Sequence, residues 1–222
     1  MNNDSYHIPV LLHAAVDGLV VNKDGVYVDV TFGGGGHSKE ILSRLNSGAT
    51  LIGFDQDEDA VANSLDDSRF TLIDQNFKYL SNNLRLMKLN PVDGILADLG
   101  VSSHQFDAEH RGFSFRFDTD LDMRMDSNDS LDAITVLNDY SQEALASIFW
   151  NYGELRESRK IAKRIVELRK DIPVTKTGQV INLSKGLVNK KKENQFLARI
   201  FQAIRIEVNR EMEDLESFLN QA

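Results

Sequence analysis

Apolar and polar positions follow one rhythm over the first hundred residues and another after it. Four short apolar runs, Val26–Val30, Thr50–Phe54, Phe70–Ile73 and Val92–Leu99, are rich in branched side chains and bounded by turn residues, the pattern of buried strands. Between them, Ser38–Leu45, Glu58–Leu65 and Tyr79–Leu86 suit helices. This alternation predicts a mostly parallel sheet flanked by helices.

From about His104 the character changes. Gln105–Asp132 carries no sustained period and is crowded with Asp, Arg, Phe and Met. Helical patterns follow at Gln142–Trp150, Glu154–Arg169, Gly178–Val188 and, at length, from Glu193 to Leu219. The tracks Ile161, Ile165, Leu168 and Phe201, Ile204, Val208 keep the three-to-four spacing of a buried helix face. No comparable strand interrupts them, so the second half predicts a helical insertion or subdomain. Four parallel strands are few for an open nucleotide-binding sheet, and the remaining strands are expected to lie beyond Ala222.

Composition narrows the class. With 222 residues, 41% of them hydrophobic, the chain can bury one domain or one domain carrying an insertion. No segment approaches the roughly 18 uncharged apolar residues of a membrane helix, so no membrane partner is expected. The opening MNNDSYHIPV lacks both the basic start and the apolar core of a signal peptide. The absence of cysteine excludes disulfide frameworks and thiolate metal sites. A soluble cytoplasmic protein is the expectation. The net charge of −9 argues at first against a nucleic-acid partner. Yet Asn151–Lys192 holds 12 Lys/Arg against 4 Asp/Glu, leaving 13 against 30 elsewhere. A basic segment on an acidic body suits phosphate contact, although charge alone favours the simpler reading of a solvated helix face.

Candidate chemistry concentrates in "VDVTFGGGGHSKEIL", Val28–Leu42. A run of glycine costs backbone entropy, and a folded domain keeps it where something must approach the main chain closely. A strand feeding through such a turn into a helix gathers backbone N–H groups and a helix N-terminus at one point. The next strand ends in Gly53-Phe54-Asp55, which places an acid where it can accept hydrogen bonds from ribose hydroxyls. Together these indicate a nucleoside-containing ligand. A Walker loop needs Gly-Lys-Ser/Thr, which Gly36-His37-Ser38 does not supply. The nicotinamide or flavin pattern is met at Gly33 and Gly35 but has Ser38 in the third place. S-adenosylmethionine carries no pyrophosphate and tolerates a different loop; Asp98, in Ala97-Asp98-Leu99-Gly100, offers a second acidic strand tip.

Read together, "HIPVLL" (His7–Leu12), "DVTFGGGGHS" (Asp29–Ser38), "GFDQD" (Gly53–Asp57), "NF" (Asn76-Phe77), "DGILADLGVSS" (Asp93–Ser103), "RGFSF" (Arg111–Phe115), "LDMRMD" (Leu121–Asp126), "YGE" (Tyr152–Glu154) and "FQAIRIEVN" (Phe201–Asn209) closely resemble the ribosomal small-subunit methyltransferase H family. The resemblance runs through essentially all of the chain, with the motifs in the family's order. It implies an α/β fold: a Rossmann-like class I methyltransferase core (1–103), an inserted all-helical RNA-recognition domain (104–205) and a helix returning to the core (206–222). The implied activity is S-adenosylmethionine-dependent methylation of the N4 amine of a cytidine in small-subunit ribosomal RNA, with that RNA or the small subunit as partner. Carried over motif by motif, Gly35, Gly36 and His37 would lie against the methionine part of the donor, Asp55 would hold the ribose and Phe77 would lie beside the adenine. Asp98 and Gln105 would complete the pocket, with Asp98 the candidate catalytic residue. A monomer and a homodimer are both compatible with the chain.

This chain departs from the family's pattern in places. His13 stands where Glu is usual, and Asp120 where Pro often precedes Leu-Asp-Met-Arg. Members continue into further strands with a Phe-His-Ser-Leu-Glu-Asp-Arg segment, so the last core strands are expected to be missing here. A non-catalytic remnant that binds RNA or protein is therefore the alternative function.

Other patterns compete for attention. Arg111, Phe113, Phe115 and Phe117 combine charge with aromatic faces suited to a flipped base, but burial of one side is the better account of two of the three rings. Asp118, Asp120 and Asp122 match the first ligand positions of a calcium loop. Met123 replaces the required glycine, Asp129 the final Glu, and the flanking helices are lacking. No histidine pair has metal-ligand spacing, so no metal is expected.

Overall fold

A computed structural model describes residues 9–222. His7 and Ile8 of the HIPVLL motif lie outside the described residues, as does most of MNNDSYHIPV. The chain divides into two compact units, Met1–Ser103 with Glu213–Ala222, and His104–Met212.

In the first unit β1 (Val26–Asp29), β2 (Thr50–Asp55), β3 (Phe70–Asp74) and β4 (Gly94–Leu96) form one parallel sheet in the order β3-β2-β1-β4. Val28 of β1 stands level with Ile52 on one side and Ile95 on the other. Helices α1 (Leu12–Leu19), α2 (Gly36–Arg44), α3 (Glu58–Val61) and α4 (Leu80–Met87) connect and cover the strands.

The second unit holds all but the first residue of α5 (Ser103–Asp107), then α6 (Ala133–Asp139), α7 (Gln142–Asn151), α8 (Ser158–Leu168), α9 (Thr177–Ser184) and α10 (Glu193–Val208). After it, α11 (Glu211–Leu219) leads into the last segment of the first unit.

Alternation along the strands explains the layers of the first unit. Tyr27, Leu51 and Leu96 point to one face and pack with Val16 of α1 and Ile41 of α2. Val28, Val30, Ile52 and Phe54 point to the other, against Leu80 and Leu84 of α4 and Phe218 of α11. Both faces of the sheet are thus apolar, as a parallel sheet requires. The result is the parallel sheet flanked by helices that the strand–helix alternation predicts, in the Rossmann-like arrangement that the resemblance implies.

In the second unit α10 is the central element. Eight of its residues are buried, from Phe196 to Val208, and it packs against α6, α7 and α9. The helix runs unbroken through positions 205 and 206, and the boundary between the units falls at Met212 and Glu213.

Two predicted elements differ, and three helices were not predicted. The long helix from Glu193 to Leu219 breaks after Val208. There the Asn209 side chain accepts from Met125 N–H (2.6 Å) and donates to the Met123 carbonyl (2.8 Å), while Arg210 takes a φ of 49°. Side-chain hydrogen bonds to a distant loop outweigh continuation of the helix. The segment Glu58–Leu65 keeps only the four residues of α3, because Asn63, Ser64 and Asp66 favour turns and Leu65 packs into the core from a loop. Short helices at α1, α5 and α6 were not evident from periodicity.

Asp118, Asp120 and Asp122 are occupied by the protein itself. Asp118 accepts from Gly178 N–H at 2.9 Å, Asp120 pairs with Lys176 at 2.8 Å and Asp122 with Arg124 at 2.7 Å. Phe113 is buried beneath the Arg111 guanidinium, and Phe115 meets Phe201 edge to face at 5.6 Å.

Candidate active site

Strand order places β1 and β4 side by side, with α2 leaving β1 in one direction and the path to β4 returning from the other. In open α/β sheets, the crevice outside the carboxyl ends of strands at such a reversal is where ligands bind. Residues 30–37 form the bend that fills this position.

Sequence builds the bend locally. Phe32 N–H bonds to the Phe54 carbonyl at 3.0 Å, and Gly35 N–H returns to the Phe32 carbonyl at 2.8 Å. Gly33 and Gly35 take φ values of 53° and 74°, conformations that a side chain would strain. Gly35 caps α2 from the left-handed region, so the first-turn N–H groups of that helix have no intrahelical acceptor. At Gly36 a Cβ would come within 2.5 Å of Pro9, so that position must also lack a side chain.

The two predicted acids reach the same bend by different routes. Asp55, at the tip of β2, accepts from Gly33 N–H at 2.8 Å through Oδ2 and from Asp57 N–H at 3.0 Å through Oδ1. Each oxygen keeps a second lone pair. Asp98, beyond β4, donates its own N–H to the Thr31 hydroxyl at 2.7 Å. Its carboxylate is 58% exposed, with Oδ2 at 3.9 Å from Nδ1 of the buried His37.

The remaining predicted residues divide. Phe77 follows β3 and sets its ring edge to face with Phe218 at 5.6 Å, half-buried. Gln105 belongs to the helical unit, in α5, and is buried there. Thus Gly35, Gly36, His37, Asp55 and Asp98 gather around one bend, and Phe77 stands in the same unit beyond β3.

Residues outside the predicted set hold the bend together. Asp29 is completely buried and accepts from Ser38 Oγ at 2.7 Å and from Thr31 N–H at 3.1 Å. Through the Thr31 hydroxyl the same carboxylate is linked to the main chain of Asp98. Farther along, Asn76 donates to Gln56 at 2.8 Å and to the buried Asp214 at 2.6 Å, tying the loop before Phe77 to the end of the chain. A polar residue closing an apolar strand was the available signal for Asp29. Asp214 gave none.

The chain matches the profile of the MraW methylase family over residues 4–222. It belongs to that family. Among similar proteins, the ribosomal RNA small subunit methyltransferase H of Christiangramia forsetii is 55% identical over 216 residues, 97% of this chain and 72% of the relative. Proteins of the same name from Flavobacterium johnsoniae and Bacteroides thetaiotaomicron are each 54% identical, over 98% and 97% of this chain and 72% and 71% of the relatives. No helix among the described residues is long and apolar enough to cross a membrane.

Two carboxyls at the methylase bend have raised pKa values. Burial pushes Asp29 above its ordinary 3.8, against the hydrogen bonds from Ser38 and Thr31. Burial likewise raises Asp55, opposed by the N–H groups of Asp57 and Gly33. A carboxyl raised in the folded state binds more protons there than in the unfolded chain. Stability therefore falls as pH rises from 3.8 through the raised value, and levels off above it.

Proposed function

We propose that this chain methylates the N4 amine of a cytidine in small-subunit ribosomal RNA, using S-adenosylmethionine. The observation that carries the reading is the convergence of Asp55, Asp98 and His37 on one side-chain-free bend. The names of the 54–55% identical relatives support ribosomal RNA as the substrate class.

The residues fit the donor. Bare amides and a helix N-terminus suit its carboxylate end. The spare lone pairs of Asp55 suit ribose hydroxyls, and Phe77 offers a ring beside the adenine. Nothing within 4 Å meets a Cβ built on Gly100, and only Ser102 and the Thr31 carbonyl, 3.9–4.0 Å away, meet one built on Gly33, so space remains at both strand tips. When bound, S-adenosylmethionine supplies an electrophilic methyl group on a positively charged sulfur. The helical unit is assigned to RNA recognition.

The chain's own task is to position and to move a proton. The cytosine amine is a poor nucleophile because its lone pair is delocalised into the ring. Asp98 accepts one amine N–H, which concentrates electron density on nitrogen, and takes that proton as the N–C bond forms. The Thr31 hydroxyl holds the Asp98 main chain, and Asp29 holds Thr31.

Incubation with donor labelled in the methyl group tests the reading directly. The label is expected in small-subunit RNA as N4-methylcytidine, identified by nucleoside analysis. Donor binding without transfer to RNA or to the assembled subunit would instead favour the non-catalytic remnant.

A second consequence concerns pH. Hydroxyl donors favour the ionised form of Asp55, so donor binding lowers its raised pKa and expels protons. Donor affinity is expected to rise with pH up to the raised pKa of Asp55 and to level off above it. Calorimetry in two buffers of different ionisation enthalpy reads the released protons; identical heats in that interval would contradict the assignment.

A further inference from the structure

The basic segment Asn151–Lys192 separates into two populations. Five of its cations serve the helical unit itself. Lys163 faces Glu167, Lys176 faces Asp120 and Lys185 bonds Asn182; Arg164 and Arg169 donate to main-chain carbonyls. The other seven, Arg156, Arg159, Lys160, Lys170 and the lysine turn 190–192, have no hydrogen bond or ion pair among the described residues.

Part of the free set has a shape, which Lys163 extends although it also faces Glu167. Arg159, Lys160 and Lys163 lie on the outer side of α8, opposite Ile161 and Ile165, which are fully buried. Arg156 stands just ahead of them. Neighbours at three-to-four spacing are about 5–6 Å apart, which makes a continuous positive stripe. Beside it, α7 packs against α8 as the other arm of a hairpin and carries Trp150 on its last turn. This is the chain's one tryptophan, and it is 59% exposed. A large indole left in water lacks a packing role, and only residues 152–157 separate the end of α7 from the start of α8.

We propose that the α8 stripe and Trp150 form a docking surface for an unpaired segment of the RNA substrate. Arg156, Arg159, Lys160 and Lys163 contact phosphates, and Trp150 stacks on a base. The inference rests on the reading of the chain as a ribosomal RNA methyltransferase and adds the surface that holds its substrate. Charge complementarity carries it: the rest of the chain has 30 acids against 13 bases, so a polyanion is attracted here and repelled elsewhere. The aromatic face selects nucleic acid over an acidic polypeptide, because every base offers a surface to stack on.

A short fluorescein-labelled single-stranded RNA and the full chain provide the test, by anisotropy over a series of KCl concentrations. The triple variant R159Q/K160Q/K163Q is expected to shrink the log–log salt slope by about 2, from roughly 0.7 per lost phosphate contact. Trp150→Ala is expected to weaken binding about 5- to 100-fold with the slope unchanged. RNA is expected to quench the tryptophan emission of the wild-type chain, which has a single source. Melting temperature and the donor-induced shift stay at wild-type values in every variant.

An unchanged slope in the triple variant, or no quenching by bound RNA, overturns the proposal. So does polyglutamate competing as well as RNA while Trp150→Ala is neutral, which assigns the surface to an acidic protein. Wild-type chain that methylates RNA, with stripe variants binding as well as it does, removes this inference alone. Failure of the wild-type chain to bind RNA at all removes it together with the methyltransferase reading.

Discussion

Alanine at Asp55 is expected to abolish the rise in melting temperature that S-adenosylmethionine gives the wild-type chain. Asp55 is asked to do two things at once. Its oxygens already hold the N–H groups of Gly33 and Asp57, which fixes the bend against the tip of β2. Their spare lone pairs are the acceptors proposed for the two ribose hydroxyls. A hydrogen bond to a charged group contributes about 1.5–3 kcal/mol, so losing two weakens the donor roughly a hundredfold or more. Release of Gly33 loosens the bend and adds to the loss. Asp55→Asn keeps one acceptor oxygen, and its shift is expected between the two. Circular dichroism and the ligand-free melting temperature separate this loss from unfolding. A full donor-induced shift in Asp55→Ala would falsify the assignment of the ribose site.

Asp98→Asn is expected to lower kcat about 100- to 10,000-fold, the range of a lost general base, with donor affinity held within a few-fold. The substitution is selective for a structural reason. The anchor of Asp98 is its main-chain N–H on Thr31, which asparagine retains. The carboxylate itself is exposed and reaches only the neighbourhood of His37. Asparagine removes the proton acceptor and keeps the position. Single-turnover transfer from labelled donor measures the chemical step apart from product release. Unchanged kcat with weakened donor binding would move Asp98 from catalysis to donor binding.

The two substitutions probe acids that differ in how legible they were. Asp55 follows from a glycine turn and an acid at the end of the next strand, a local pattern. The anchoring of Asp98 depends on β4 lying beside β1, which brings the Thr31 hydroxyl within 2.7 Å of its main-chain N–H. Asp29 was visible as a residue but not as a junction. Its bonds to Ser38 and Thr31 depend on how the bend folds back over the strand end. Asp214 lies 138 positions from Asn76, and no spacing rule connects them. Gln105 is assigned to the donor pocket by motif order alone, and the fold places it in the helical unit, as the break near His104 predicts.

By itself the sequence determined the parallel sheet, the change to helices near His104 and the glycine bend. Each of these depends on short-range properties: side-chain periodicity, and the freedom of glycine to take positive φ. The tertiary structure alone decided which strands are neighbours, where the long C-terminal helix breaks, and which cations the protein consumes in its own bonds. These depend on partners far away in the chain. Asn209 leaves its helix because the loop at Met123 and Met125 offers better bonds, and only folding brings that loop within reach.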